Sequence, residues 1–147
     1  VVMIAEIVFE VLHLSRWPAF MCMVLFGIGH GGKKEIQKIL YGGFVGILIG
    51  LVLNRLLFVF AYTYDPFILK LIFIAAFVFF LVMFHDKYPL VSNNYNFMFF
   101  LITGTILSIT KQVDLIPLWL ATQMVGGGIL MFAMDRIKKG KTQDEHI

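Results

Sequence analysis

Long uncharged stretches constrain this chain more than any other feature. Residues 17–32, 97–110 and 115–134 contain no Asp, Glu, Lys or Arg, and residues 39–64 and 67–84 contain one basic residue each. About 20 apolar residues at 1.5 Å per helical residue cross a bilayer core of about 30 Å. We therefore expect most of the chain to lie in helices that cross a membrane.

The composition supports this expectation. Of 147 residues, 60% are hydrophobic and 14% are charged, whereas an ordinary soluble domain is about half apolar and one-quarter charged. The formal charge of +3 comes from basic clusters at residues 33–38 and 136–141, which flank apolar stretches. That distribution is typical of cytoplasmic loops, so we expect no nucleic-acid binding. A lipid-headgroup site at these clusters is the alternative.

The predicted fold is all-α, a polytopic transmembrane bundle of about six short helices. The predicted helices cover residues 1–14, 17–30, 36–62, 67–84, 97–110 and 115–134, in one transmembrane domain over residues 1–137. A charged cytoplasmic tail over residues 138–147 follows. Pro18, Pro66 and Pro117 support the starts of three helices, because proline suits a first helical turn.

Charge placement also predicts the topology. Four predicted helices separate the two basic clusters, so both clusters and both termini are expected on the cytoplasmic side. Three helices precede Asp65 and three follow it, so the two halves would enter the membrane in opposite senses, as in inverted-repeat transporters. The halves are not visibly alike, so the pattern permits an inverted 3+3 repeat without requiring one.

Two helices carry glycines at helical spacing. Gly42, Gly46 and Gly50 stand four apart on the third helix, and Gly126, Gly127 and Gly128 mark the sixth. Bare backbone surfaces of this kind let helices approach closely in a membrane. We predict helix packing, within the chain or between copies, and the alternative is glycine backbone that lines a pore.

The first helix has an unusual polar face. Glu6, Glu10 and His13 fall at i, i+4 and i+7 among aliphatic and aromatic residues. Carboxylates within a membrane turn toward a bundle interior or a watery cavity and often mark ion or proton paths. The alternative is that this short helix lies in the interface with its polar face in water.

Helix arithmetic places four polar residues at one depth. Glu6, Arg55, Thr103 and Gln123 each lie roughly 10 to 14 Å below the outer helix ends. We predict that these residues line a pore or substrate pathway, and that Glu6 or Glu10 pairs with Arg55. Snorkelling of Arg55 toward the surface is the alternative.

The remaining titratable and reactive residues offer little chemistry. His30, at the inner end of the second helix, is a candidate proton-sensing gate, and a solvated or capping histidine is the alternative. The single Cys22 excludes a disulfide within the chain. No catalytic, metal or cofactor motif stands out, so we predict that the protein is not an enzyme and carries no cofactor.

The layout resembles a known family. Trp17-Pro18-Ala19-Phe20, then Gly31-Gly32-Lys33 before the glycines of residues 42–50, is similar to the domain-of-unknown-function family 1097 of small bacterial inner-membrane proteins. Residues 104–111, Leu115 with Pro117, and the glycines before residues 131–138 are similar in layout. The resemblance implies an inner-membrane location and five or six helices, and it supplies no ligand residues.

The sequence therefore predicts a small-solute channel or transporter that works as a homo-oligomer among membrane lipids. The alternative is a structural or accessory subunit that docks a larger partner through its glycine faces and basic tail.

Overall fold

The computed structural model describes residues 2–29, 31–63, 67–83, 87–88 and 93–144. These residues form six helices and no strand, which confirms the predicted all-α class. The first five helices are α1 Val2–Val11, α2 Trp17–Ile28, α3 Lys33–Thr63, α4 Phe67–Met83 and α5 Asn94–Thr110. The sixth, α6, follows a 3-10 turn at Val113–Leu115 and has three consecutive segments: α-helical Ile116–Ala121, π-helical Thr122–Gly127 and α-helical Gly128–Asp144.

Proline and glycine define the ends of α2 and the start of α3. Pro18 occupies the first turn of α2, and Gly29 ends the helix in an extended conformation. Gly31 and Gly32 then have φ of 76° and 95°, in a region that favours glycine because it has no Cβ. This left-handed pair lets the chain turn directly into Lys33, three residues before the predicted start of α3.

An asparagine cap starts α5 earlier than the predicted residue 97. The Asn93 Oδ1 accepts hydrogen bonds from the backbone N–H groups of Tyr95 and Asn96, both at 3.0 Å. These bonds satisfy two of the donors that a helix N-terminus leaves unpaired. At the other end, Lys111 adopts φ of 56° and closes the helix.

The outermost helices also differ from the predicted bounds. Within the predicted range 1–14, α1 ends at Val11, because the chain turns at His13 (φ 51°) and the Leu14 N–H bonds the Phe9 carbonyl at 2.9 Å. In contrast, α6 continues to Asp144 rather than ending near residue 134. Residues 138–144 of the predicted tail are therefore helical, and three of these seven residues are lysines, which are good helix formers.

Two helical segments, Lys33–Val59 and Val113–Lys138, are long and apolar enough to cross a membrane. Two shorter apolar segments, Trp17–Ile28 and Leu71–Phe80, accompany them within the described part of the chain. Length and composition thus permit a crossing by α3 and by α6.

The chain divides into two compact units, and the single transmembrane domain over residues 1–137 stays a prediction. The terminal unit comprises Val1–Leu40 and Pro117–Ile147, and the central unit comprises Tyr41–Ile116. In the terminal unit, α1, α2 and α6 pack around Phe9, Ala19 and Leu130. In the central unit, the buried side chains of α3 and α5 include Ile47, Leu53, Phe99, Phe100 and Leu107.

Candidate functional site

In the terminal unit, glycines bring α6 into close contact with α2. A Cβ placed on Gly127 would lie 2.7 Å from the Cys22 Sγ and 2.9 Å from the Cys22 Cβ. A Cβ on Gly126 would lie 2.9 Å from the Phe9 ring and 3.2 Å from the Ala19 Cβ. Only glycine permits this approach without displacement of a neighbour. Gly128 is less constrained, because its Cβ would meet only a leucine methyl group at 4.0 Å.

In the central unit, glycines bring α3 into the same kind of contact with α5. A Cβ on Gly46 would overlap the Asn96 carbonyl oxygen and lie 2.8 Å from the Phe99 Cβ. A Cβ on Gly50 would lie 2.9 Å from the Thr103 Cβ. Gly42, one turn earlier, faces the side-chain amide of Asn93, with Nδ2 2.9 Å from its hypothetical Cβ. The three glycines therefore form one continuous contact along three turns of α3.

The two units use matching geometry. Gly127 packs against Ala19 and Cys22, which are three residues apart on α2. Gly46 packs against Asn96 and Phe99, which are three residues apart on α5. If the chain is divided at Asp65 into a half with α1 to α3 and a half with α4 to α6, the third helix of one half packs on the second helix of the other half in both units: α6 packs on α2, and α3 packs on α5. The side chains at these positions differ between the two units.

An aromatic contact recurs as well. In the terminal unit, Phe9 of α1 meets Phe20 of α2 with ring centroids 5.9 Å apart. In the central unit, Phe77 of α4 meets Phe100 of α5 at the same separation, although the ring planes there meet at 31° rather than 73°. The first helix of each half thus contacts the second helix of that half through a phenylalanine pair.

Gln123 is fully buried in the π-helical segment of α6. Its Nε2 donates to the Leu40 carbonyl of α3 at 2.9 Å, and its backbone carbonyl lies 3.9 Å from the Cys22 thiol. Its Oε1 has no hydrogen-bond partner among the described residues. Short π segments in α-helices occur often at functional sites, and an amide oxygen buried without a partner costs stability.

Thr103 occupies a comparable position in the central unit. It is fully buried on α5 against Gly50, and its Oγ1 also has no partner in the described part of the chain. Two of the four residues predicted to share one depth are thus buried polar groups, each inside its own unit.

The carboxylates of α1 pair with a cation that the sequence reasoning did not consider. Arg16 donates from Nη1 to the Glu6 Oε1 at 2.6 Å and from Nη2 to Glu10. The hydrogen bond to Glu6 and the charge of Glu10 raise the pKa of the Arg16 guanidinium. All three side chains are substantially exposed. His13 does not continue this face, because α1 ends before it.

The other predicted site residues take no part in these clusters. Arg55 is exposed on α3, and its pairing with Glu6 or Glu10 would join two units, so that pairing stays a prediction. His30 lies outside the described residues. The described residues contain no group of three or more His, Cys, Asp or Glu side chains that could hold a metal ion.

A tryptophan pair lies where α1 and α2 connect. Trp17 and Trp119 make an edge-to-face contact with ring centroids 5.4 Å apart, and Trp119 Nε1 donates to the Ser15 Oγ at 2.9 Å. Tryptophan combines an apolar body with one polar N–H, which suits the boundary between hydrocarbon and headgroups.

Comparison of the chain with protein-family models, with curated proteins and with solved structures finds no match. The resemblance to family 1097 therefore stays a prediction drawn from the residues quoted above.

Proposed function

We propose that this chain is a multi-pass protein of the bacterial inner membrane that conducts small solutes as a homo-oligomer, with both termini cytoplasmic. Besides the two long apolar helices, exposed apolar side chains support membrane embedding. On α4 alone, Ile68 is 68% exposed and Phe79 is 65% exposed. Soluble monomers rarely present extended apolar patches, and such patches mark contacts with membranes or other proteins.

The observation that carries the transport proposal is the glycine contact that recurs in both units. Gly127 of α6 packs on α2, and Gly46 of α3 packs on α5, so each glycine brings together helices from opposite halves of the chain. Halves that are related in this way are characteristic of inverted-repeat transporters, whose substrate sites lie between the repeats near the middle of the membrane.

Thr103 and Gln123 are the best candidates for contact with the solute. Each buries an oxygen that lacks a protein partner within the described chain, and such groups in native proteins call for an explanation. Both oxygens accept hydrogen bonds and carry no charge. We therefore propose small neutral solutes that donate hydrogen bonds as the first class to test.

Flux into protein-containing vesicles tests this proposal. The panel should include water, urea, weak acids, amines and monovalent ions, with Gln123→Leu and Thr103→Val as the variants. Both substitutions remove a polar group with little change in volume, and flux should fall in both. Thr103→Val should keep or raise stability, whereas Gln123→Leu also removes the hydrogen bond to the Leu40 carbonyl, so its flux is compared at equal amounts of folded protein. Ser108→Ala is the control, because the Ser108 hydroxyl is exposed and bonds the Thr105 carbonyl on the same helix.

Two results would contradict the transport proposal. One is the absence of flux above protein-free vesicles for every solute in the panel. The other is wild-type flux in both Gln123→Leu and Thr103→Val, which would remove these residues from the pathway.

An accessory, non-catalytic membrane subunit is the second candidate, and the cluster of Glu6, Glu10 and Arg16 favours it. These charges pair with one another and remain exposed, and Arg16 directly precedes Trp17, the first residue of α2. A cluster of this kind suits the headgroup level or a partner surface better than a solute pathway. In this role Arg16→Gln should weaken assembly with the partner and leave vesicle permeability unchanged.

A further inference from the structure

A long apolar cavity of about 530 Å³ lies between α1 and α6 in the terminal unit. Its volume is within the roughly 300–1,000 Å³ of typical small-molecule sites. Phe9 lies at its inner side, where the ring contacts Gly126. One wall consists of Ile4 and Val8 from α1 and of Leu12, just after the end of that helix, and the other consists of Ala121, Val125 and Ile129 from α6.

The walls offer almost no hydrogen bonding. Thr122 is the one polar side chain in the lining, and its hydroxyl donates to the Leu118 carbonyl of its own helix at 2.7 Å. On α1, Glu6 and Glu10 point to Arg16 rather than into the lining. A ligand held here gains its binding energy from apolar contact alone, so it must itself be apolar.

The shape favours a narrow, extended ligand. From Ile4 to Leu12 the first wall is about 12 Å long at 1.5 Å per residue, because the Leu12 N–H still bonds the Val8 carbonyl in the helical pattern. The side is open, since Ile4 is 69% exposed and Val125 is 64% exposed. A flexible chain that lies along the two helices fits this cavity, and a compact ring system would leave most of its length empty.

The position of the cavity identifies the ligand. Leu14, at one end of the lining, adjoins Ser15, which accepts the hydrogen bond of Trp119. That end therefore lies at the tryptophan pair, which marks the headgroup level. The α6 wall belongs to the membrane-spanning candidate Val113–Lys138. From the headgroups, the cavity follows this helix into the hydrocarbon, where acyl chains are the apolar molecules present.

We propose that the cavity between α1 and α6 binds one acyl chain of a membrane phospholipid. The proposal rests on the membrane embedding proposed above and is independent of solute transport. Because the walls come from α1 and from α6, a bound chain would join the short first helix to the long sixth helix.

Photo-crosslinking tests the site. The full chain in detergent micelles is titrated with a phosphatidylcholine that carries a photoactivatable diazirine on one acyl chain, and labelled residues are mapped by mass spectrometry. We expect labelling on both walls that saturates and that excess unlabelled phospholipid removes. Val125→Trp fills the cavity and should abolish this saturable labelling. Val52→Trp, at a residue 50% exposed on α3 and outside the lining, should leave it unchanged.

The outcomes separate this proposal from the proposed function. Labelling of α4 without saturable labelling of the cavity, or cavity labelling that survives Val125→Trp, overturns the acyl-chain site and leaves membrane embedding intact. Absence of labelling anywhere overturns both. A disulfide between two copies of Val125→Cys would assign the cavity to a second copy instead. Val8→Trp, on the opposite wall, replaces Val125→Trp if circular dichroism shows that the latter does not fold.

Discussion

Gly46 is the position where one added methyl group tests the contact of α3 with α5 most severely. The Cβ of Gly46→Ala would overlap the Asn96 carbonyl oxygen and lie 2.8 Å from the Phe99 Cβ. Neither atom can rotate away, because one is backbone and the other is the first atom of a side chain. The two helices must therefore move apart. Gly104, on α5, is the matched control, because a Cβ there would meet nothing within 4 Å.

The expected changes in the free energy of unfolding follow from two contributions, helix propensity and overpacking. Alanine stabilises a helix interior by about 1 kcal/mol relative to glycine, and overpacking a well-packed contact costs about 1–3 kcal/mol. Gly104→Ala should therefore raise the free energy of unfolding by about 1 kcal/mol, whereas Gly46→Ala should lower it by up to about 2 kcal/mol. The helix-propensity term cancels in the difference between the variants, so that difference measures the overpacking cost alone.

Equilibrium unfolding in detergent micelles, followed by helical circular dichroism during titration with a denaturing detergent, measures both variants. Coincident transitions by circular dichroism and tryptophan fluorescence would support a two-state treatment. Equal stability changes for Gly46→Ala and Gly104→Ala would refute the close contact between α3 and α5.

Three further predictions concern single interactions. A double-mutant cycle of Arg16→Gln with Glu10→Gln, measured by unfolding, should give only a small coupling, and that coupling should shrink at high salt because the pair is exposed. Asn93→Ala should lower the free energy of unfolding by about 1 kcal/mol in the same assay, through loss of the α5 cap. Arg55→Met should reduce solute flux in vesicles, and wild-type flux would remove Arg55 from the pathway.

The helices could be predicted from the sequence because uncharged stretches and prolines mark them. The all-α class follows directly from those stretches. The exact first and last residues of the helices could not be predicted, because several neighbouring residues are each able to start or end a helix. Asn93, Asn94 and Asn96 are all capable caps, and only the folded geometry shows that Asn93 accepts the two backbone hydrogen bonds. Similarly, no residue pattern distinguishes Val11 from Leu14 as the end of α1.

The candidate site could be predicted in part. Spacing identified the glycines of α3 and α6, but a glycine stripe does not specify the helix that packs on it. The pairing of Glu6 and Glu10 with Arg16 was within reach, since Arg16 follows the first helix after a short turn and is the nearest Lys or Arg in sequence. The hydrogen bond from Gln123 to the Leu40 carbonyl could not be predicted, because it depends on the π-helical segment, which has no sequence signature.

Thiol accessibility tests most directly the central claim that the two halves cross a membrane in opposite senses. The natural Cys22 is fully buried, so it gives little background. With an impermeant reagent applied outside intact cells, Asp65→Cys should react, whereas Gly32→Cys, Asn94→Cys and Lys141→Cys should react only after permeabilisation. Labelling of Lys141→Cys from outside, or protection of Asp65→Cys, would contradict the account.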